Sequence, residues 1–196
     1  MNKIKVTTPF RPIYPSPAGL IVSCDADGRA NIMTAGEIFN VGLKNPCIIG
    51  IAIREATYTH SLITRNKQFT VNLPTCAILG AVDQIGTISG RDGLDKFAEY
   101  GLTAVPSHEV APPIIAECPV NLECNMLSIT RAGDHDLILG EVAAMHVDED
   151  KLDENQKVLI DKVDGFLFAE WGYYRFGDMI KSIGYTRDRE FIRKRN

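Results

Sequence analysis

The sequence has no C-x-x-C pair, no apolar run long enough to span a bilayer and no excess of positive charge. Each absence removes a class of function. The five cysteines, Cys24, Cys47, Cys76, Cys118 and Cys124, are odd in number and scattered; this supports neither a disulfide framework nor a zinc site and fits buried thiols in a reducing cytosol. No metal is expected. A net charge of -4 gives no global attraction to polyanions, so nucleic-acid binding would need a local basic patch. The one concentration of cations, Arg187 to Arg195, mixes both signs at a chain end and reads as a solvated end segment or a dimer-contacting arm. The start, Met1 to Pro12, lacks the continuous apolar stretch of a signal peptide. No membrane association and a cytoplasmic location are therefore expected.

Familiar catalytic signatures are missing too. The chain carries no G-x-S-x-G elbow, no G-x-x-x-x-G-K-[ST] phosphate loop, no H-E-x-x-H, and no G-x-G-x-x-G between a strand and a helix. A nicotinamide cofactor, if used, is not held by a Rossmann unit.

What is present is dominated by strand patterns. With 196 residues, 45% hydrophobic and 23% charged, a single domain over 1–196 with one sizeable core is expected. Gly19 to Cys24 is a compact apolar run ending in the turn Asp25-Ala26-Asp27-Gly28, with Ala30 to Ala35 as the return arm of a hairpin. Cys47 to Ile53 is apolar throughout and reads as a strand covered on both faces. A short helix is expected from Thr59 to Asn66, a strand from Gln68 to Leu73, helical character from Ala77 to Thr87, and a second short helix from Leu94 to Tyr100 closed by Gly101. Pro106, Pro112, Pro113 and Pro119 demand a loop or edge crossing. Val120 to Met126 alternates with period 2, and Asp136 to Val147 is long for a strand, with Gly140 marking a bulge or a close approach. Asp148 to Asp161 is a polar loop with a weak helix, and Phe166 to Phe176 is extended. Strands do not alternate with full helices, so the fold class is mainly β: a small barrel with inserted short helices.

Several groups carry chemistry, and each has a plainer reading. Tyr58-Thr59-His60-Ser61 opens a helix with free N–H groups and hydroxyls, a site for an anion such as phosphate or simply an N-cap. The loop Ser89-Gly90-Arg91-Asp92-Gly93, with Lys96 one turn beyond, combines flexible backbone, a hydroxyl and two cations, as ordinary surface turns also do. His135, beside the turn at Gly133-Asp134, is either a proton-handling group near a bound ring or a structural hydrogen-bonder. His108 and His146 have no companion acid and receive no role. Trp171, Tyr173 and Tyr174 fit a stacking role, a core or an interface.

Taken in order, these segments resemble the flavin reductase-like FMN-binding split-barrel family, and within it the flavoredoxin group. Pro17 to Asp25 with Asp27 to Thr34 resembles its opening hairpin, and Thr57 to Ile63 its phosphate-binding turn. Phe69-Thr70-Val71-Asn72-Leu73-Pro74 is similar to its F-x-V-N-hydrophobic-P strand, and Ser89 to Phe97 to its serine-to-lysine loop. Gly133-Asp134-His135 followed by Gly140-Glu141-Val142 is similar to G-D-H-x-x-x-x-G-E-V. The match covers roughly residues 15 to 180, leaving 181–196 as a tail.

The resemblance implies a split β-barrel, a homodimer with flavin sites near the subunit interface, and FMN held without covalent attachment. By position, Asn31, Met33 and Thr34 would contact the isoalloxazine, and Asn72 would lie beside it. Thr59, His60, Ser61, Ser89, Gly90, Arg91 and Lys96 would serve the phosphate and ribityl chain. His135 would sit near the nicotinamide or the flavin edge as the catalytic group. The chain departs from many reductases soon after Met33-Thr34, where Gly36-Glu37 replaces an aromatic residue and leaves more room for a substrate.

Two functions compete. One is an oxidoreductase passing electrons from NAD(P)H through FMN to a flavin, a metal or a protein acceptor. The other is a non-enzymatic FMN electron carrier without a nicotinamide site. A ligand-binding barrel that has lost flavin is disfavoured, because both polar turns are intact.

Overall fold

A computed structural model describes residues 2–8 and 10–187. The charged tail beyond Arg187, expected as an end segment or an arm, lies outside the described residues. The strands are β1 Ser16–Pro17, β2 Gly19–Cys24, β3 Ala30–Ala35, β4 Ile38–Leu43, β5 Cys47–Ile53, β6 Gln68–Leu73, β7 Ala104–Val105, β8 Ile114–Ile115, β9 Val120–Ala132, β10 His135–Val147, β11 Phe166–Ala169 and β12 Gly172–Arg175. The helices are α1 Tyr58–Asn66, α2 Leu79–Thr87, α3 Lys96–Tyr100 and α4 Ile160–Val163. Among the described residues no helix is long and apolar enough to cross a membrane.

Seven strands form one antiparallel sheet in the order β3-β2-β6-β9-β10-β5-β4. Its two edge strands, β3 and β4, are consecutive in the chain and are joined by only Gly36 and Glu37. Edges so tethered cannot lie at opposite ends of a flat sheet, so the sheet curls into a barrel open along one seam. The Glu37 carbonyl accepts the N–H of Ala52, 2.9 Å away, which fixes the turn against β5.

The alternation of β2 explains the two cores. Ile21 points into the barrel with Ile51, Phe69, Val71 and Ile138. Leu20 and Val22 point outward beneath the helices, with Ile32, Val82, Ile85 and Phe97. Both faces are covered, which is why this strand is apolar at nearly every position. Gly140 marks a break in the β9–β10 register. A Cβ there would come within 2.6 Å of the Phe69 ring, so the glycine lets that ring fill the barrel.

Two elements and one histidine differ from expectation. β4 is a full strand that the sequence pattern did not reveal. Residues 166–176 fold back as the β11–β12 hairpin, turning at Glu170, φ +49°, and Trp171, just ahead of Gly172. His146 does have a companion acid. The β9–β10 pairing places Ala144 opposite Glu123, and His146 Nε2 lies 2.6 Å from Glu123 Oε1.

Glu123 is fully buried. Its carboxylate also accepts the N–H groups of His108 (2.9 Å), Glu109 (2.6 Å) and Val110 (3.1 Å), pinning the proline-rich loop to the sheet. Burial pushes this carboxyl up, but the backbone donors and His146 outweigh it and hold it below its ordinary range. A carboxyl depressed in the folded state stabilises the fold above its unfolded pKa, about 4.3, and that stability is lost as pH falls through the lower folded value. The melting temperature is therefore expected to drop on acidification below about pH 4. Glu123→Gln should be less stable at pH 7 yet show a shallower acid limb in thermal melts across pH. An unchanged acid slope in the variant would remove Glu123 as the cause.

Candidate functional site

The seam of the barrel opens into a cavity of about 990 Å³, between β3 on one side and the end of β5 with the start of α1 on the other. That is ample for a cofactor-sized ligand. Asn31, Met33, Thr34, Thr59, Ser89, Gly90, Lys96 and His135, expected from the sequence, all line it.

One end is polar. Thr57 caps α1, its hydroxyl accepting the His60 N–H at 3.2 Å. The N–H groups of Tyr58 and Thr59, in the first turn, lack intrahelical partners by helix geometry and sit at the positive end of the helix dipole. Asn31 Nδ2 donates to Thr59 Oγ1 at 2.8 Å. Asn31 Oδ1 is buried and has no partner among the described residues. It lies in the space a side chain at position 90 would fill: a Cβ on Gly90 would come within 1.9 Å of it.

Lys96 forms the floor. It is 3% exposed, and its Nζ donates to the carbonyls of Ile32 (2.9 Å), Ile85 (3.3 Å) and Ile88 (2.6 Å). Two of these belong to the last turn of α2 and the residue just past it, where orphan carbonyls and the negative dipole end favour a cation. Burial lowers its pKa to about 8. The charged form thus carries a burial cost at neutral pH, and this contribution becomes more favourable as pH rises from about 8 towards the unfolded value. Asp95, just before, caps α3 by accepting the N–H groups of Phe97 and Ala98.

Four other expected residues, His60, Ser61, Arg91 and Asn72, are occupied elsewhere and are not part of the cavity lining. His60 Nε2 is 2.8 Å from Asp136 Oδ2, a buried pair that ties α1 to β10. Ser61 Oγ donates back to the Tyr58 carbonyl, 2.7 Å away. Arg91 is exposed and donates to the Ala56 carbonyl at 3.2 Å. Asn72 is fully buried in β6, donating to the Leu20 carbonyl and accepting from Ile115 N–H and Asn121 Nδ2. Thr34 lines the cavity, but its hydroxyl donates to the Val82 carbonyl of α2.

His135 opens β10 at the cavity wall, its Nδ1 3.0 Å from Asp134 Oδ1. The imidazole holds the Asp134 carboxyl below its ordinary range. With Nδ1–H given to Asp134, Nε2 is the ring nitrogen left for a ligand.

The other end of the cavity is aromatic and cationic; a stacking role is among the sequence readings of Trp171, whereas Phe10 and Arg11 carry no reading. Phe10 and Trp171 stack with ring centroids 4.8 Å apart. Arg11 lies 4.3 Å over the Phe168 ring and 3.0 Å from Glu37. These residues come from opposite ends of the chain, so no local pattern joins them. A further signal was Gly36: a Cβ there would meet Arg11 Nη1 at 3.1 Å, so the missing aromatic side chain makes way for the guanidinium.

Comparison with known proteins agrees with this architecture. The family described as "Flavin reductase like domain" matches residues 11–174. A flavoredoxin of Desulfovibrio vulgaris (Miyazaki F) is similar with a TM-score of 0.87 and 32% identity, over 94% of this chain and 100% of that one. A flavoredoxin from Methanosarcina acetivorans has a TM-score of 0.84 and 29% identity, over 96% and 98%. The NADH:riboflavin 5'-phosphate oxidoreductase of Streptomyces pristinaespiralis is 32% identical over 127 residues, 64% of this chain and 67% of that protein.

The contact between Gly90 and Asn31 is directly testable. Gly90→Ala is expected to destabilise the protein by about 1–3 kcal/mol through overpacking. Asn31→Ala in the same chain removes the opposing oxygen and should return at least about 0.5 kcal/mol of that loss as coupling. Denaturant unfolding of both single variants and the double variant measures the coupling; additive losses would rule out the contact.

Proposed function

The chain belongs to the flavin reductase-like family, and from that premise we propose that it binds FMN in the seam cavity and works as an NAD(P)H-dependent flavin oxidoreductase. The observation that carries the reading is the buried, unpartnered Asn31 Oδ1 beside the start of α1. Thr59 accepts the Asn31 amide and keeps its own O–H to donate. An unpaired acceptor beside a free donor suits a polyol, whose hydroxyls do both. The Tyr58 and Thr59 N–H groups suit a terminal phosphate, and the mixed polar and apolar wall suits a planar ring. The residues present therefore fit FMN.

In this reading Thr59, Ser89 and Gly90 hold the phosphate and ribityl end, and Lys96 adds its charge from the floor. Met33, Thr34 and Asn31 form the wall of β3 along the ring. Bound there, the flavin supplies hydride and electron chemistry that no side chain offers. The protein binds, orients and excludes water. His135, held through Nδ1 by Asp134, presents Nε2 to orient the nicotinamide donor or the flavin edge. Lys96 acts on affinity more than on the chemical step, since a charge at the phosphate end attracts substrate and transition state nearly equally.

We also propose a homodimer. β4 is an edge strand with Phe39, Val41 and Leu43 between 44% and 79% exposed, a row that a second subunit would cover. The electron acceptor is a flavin, a metal centre or a protein. The likeness to flavoredoxins favours a second reading, an FMN carrier without nicotinamide turnover.

Fluorescence titration of stripped protein should give preference for FMN over riboflavin, and anaerobic NADH or NADPH should bleach the bound flavin. No flavin binding would sink the reading; binding without bleaching would favour the carrier. Lys96→Met is expected to weaken FMN affinity with turnover at saturating FMN near wild type, whereas His135→Ala should slow reduction with little loss of affinity. Light scattering giving a monomer mass with FMN bound would contradict the dimer.

A further inference from the structure

The cavity has a second recognition element at its far end, built around Arg11. By strand rise, Ala35 lies about 13 Å along β3 from Asn31, so the Gly36–Glu37 turn and Arg11 are well separated from the polar end at Thr59 and Gly90. Arg11 is held on three sides. Its guanidinium lies 4.3 Å over the Phe168 ring, Nη2 is 3.0 Å from Glu37 Oε1, and the chain enters it with φ +41°. Its Nη1 is buried and has no hydrogen-bond partner among the described residues. That nitrogen lies 3.1 Å from where a Cβ on Gly36 would be, and both residues line the cavity.

A guanidinium is a fork of five donors that cannot be deprotonated at ordinary pH. Leaving part of the fork buried and unpaired is costly, and a carboxylate is the partner whose two oxygens match it. Beside it at the mouth, the stacked rings of Phe10 and Trp171 line the same cavity and offer an apolar surface for a planar group.

We propose that Arg11, with the Phe10–Trp171 pair, forms a subsite for a planar aromatic acid, the acceptor or second substrate of the bound cofactor. The acid's carboxylate takes the free edge of the guanidinium, and its ring lies against the aromatic pair. Glu37 competes with it as the internal carboxylate. The identity of the acid as second substrate rests on the FMN reading above; the subsite itself rests only on this chain's residues.

Benzoate and benzamide share ring and shape and differ in charge, so the pair isolates the guanidinium. Calorimetric titration of both into FMN-loaded protein should give tighter binding of benzoate, by about tenfold or more. Arg11→Gln should abolish the preference, Arg11→Lys should keep part of it, and Glu37→Gln should strengthen benzoate binding. The last change runs in the opposite direction from a general loss of structure. Trp171→Ala should weaken both probes alike. The sequence has a single tryptophan, so quenching of Trp171 fluorescence supplies a second readout at the mouth. Equal binding of benzoate and benzamide, or a preference surviving in Arg11→Gln, overturns the proposal. The same titrations on stripped protein separate the two readings: if FMN fails to bind but benzoate still binds through Arg11, the subsite stands and the cofactor assignment falls.

Discussion

The two-residue tether between the edge strands of the large sheet is the constraint on which the rest depends. Gly36 and Glu37 join β3 to β4, so a sheet seven strands wide must bring its margins together. The curl creates both an inner core around Phe69 and Ile51 and a seam that backbone pairing cannot close. The cavity is what the seam leaves. Its walls are β3 and the end of β5, and its ends are set by the start of α1 on one side and by the tether on the other. Glycine at position 36 serves both the tight join and the approach of Arg11.

Buried polar groups then hold the covering segments in place. Lys96 draws together β3 and the end of α2 through carbonyls, His60 and Asp136 tie α1 to β10, and Glu123 anchors the proline-rich loop. Each is satisfied mainly by backbone or by one partner, as buried polar groups must be. At the cavity, Asn31 Oδ1 and Arg11 Nη1 are left without a partner among the described residues. Buried polar groups left incomplete beside a cavity point to a ligand.

Much of this was legible in the sequence, and the failures have physical causes. The hairpin of β2 and β3 and the strand β5 announced themselves through apolar runs bounded by turn residues, and the helix α1 through the hydroxyl residues at its start. β4 did not, because as an edge strand its Phe39, Val41 and Leu43 face outward and its alternation does not match a buried face. At the cavity, the residues read from β3, α1 and the Ser89 loop come together in the lining, each from a short continuous motif. His60, Asn72 and Arg91 lie in the same motifs but face other neighbours. Trp171 was legible as a stacking candidate, but Arg11 and its nearness to Trp171 were not, because that proximity exists only after the chain has closed on itself.

The mouth residues come from outside the seven-stranded sheet: Phe10 and Arg11 from the segment before β1, Trp171 from the turn between β11 and β12. Neither segment contributes a ladder bond to the barrel. Evolution can therefore rewrite the mouth without touching the frame around the polar end of the cavity. A lineage built on this scaffold is free to diverge at one end of the cavity while keeping the other, and sequence drift should concentrate at these two segments before it reaches the seam.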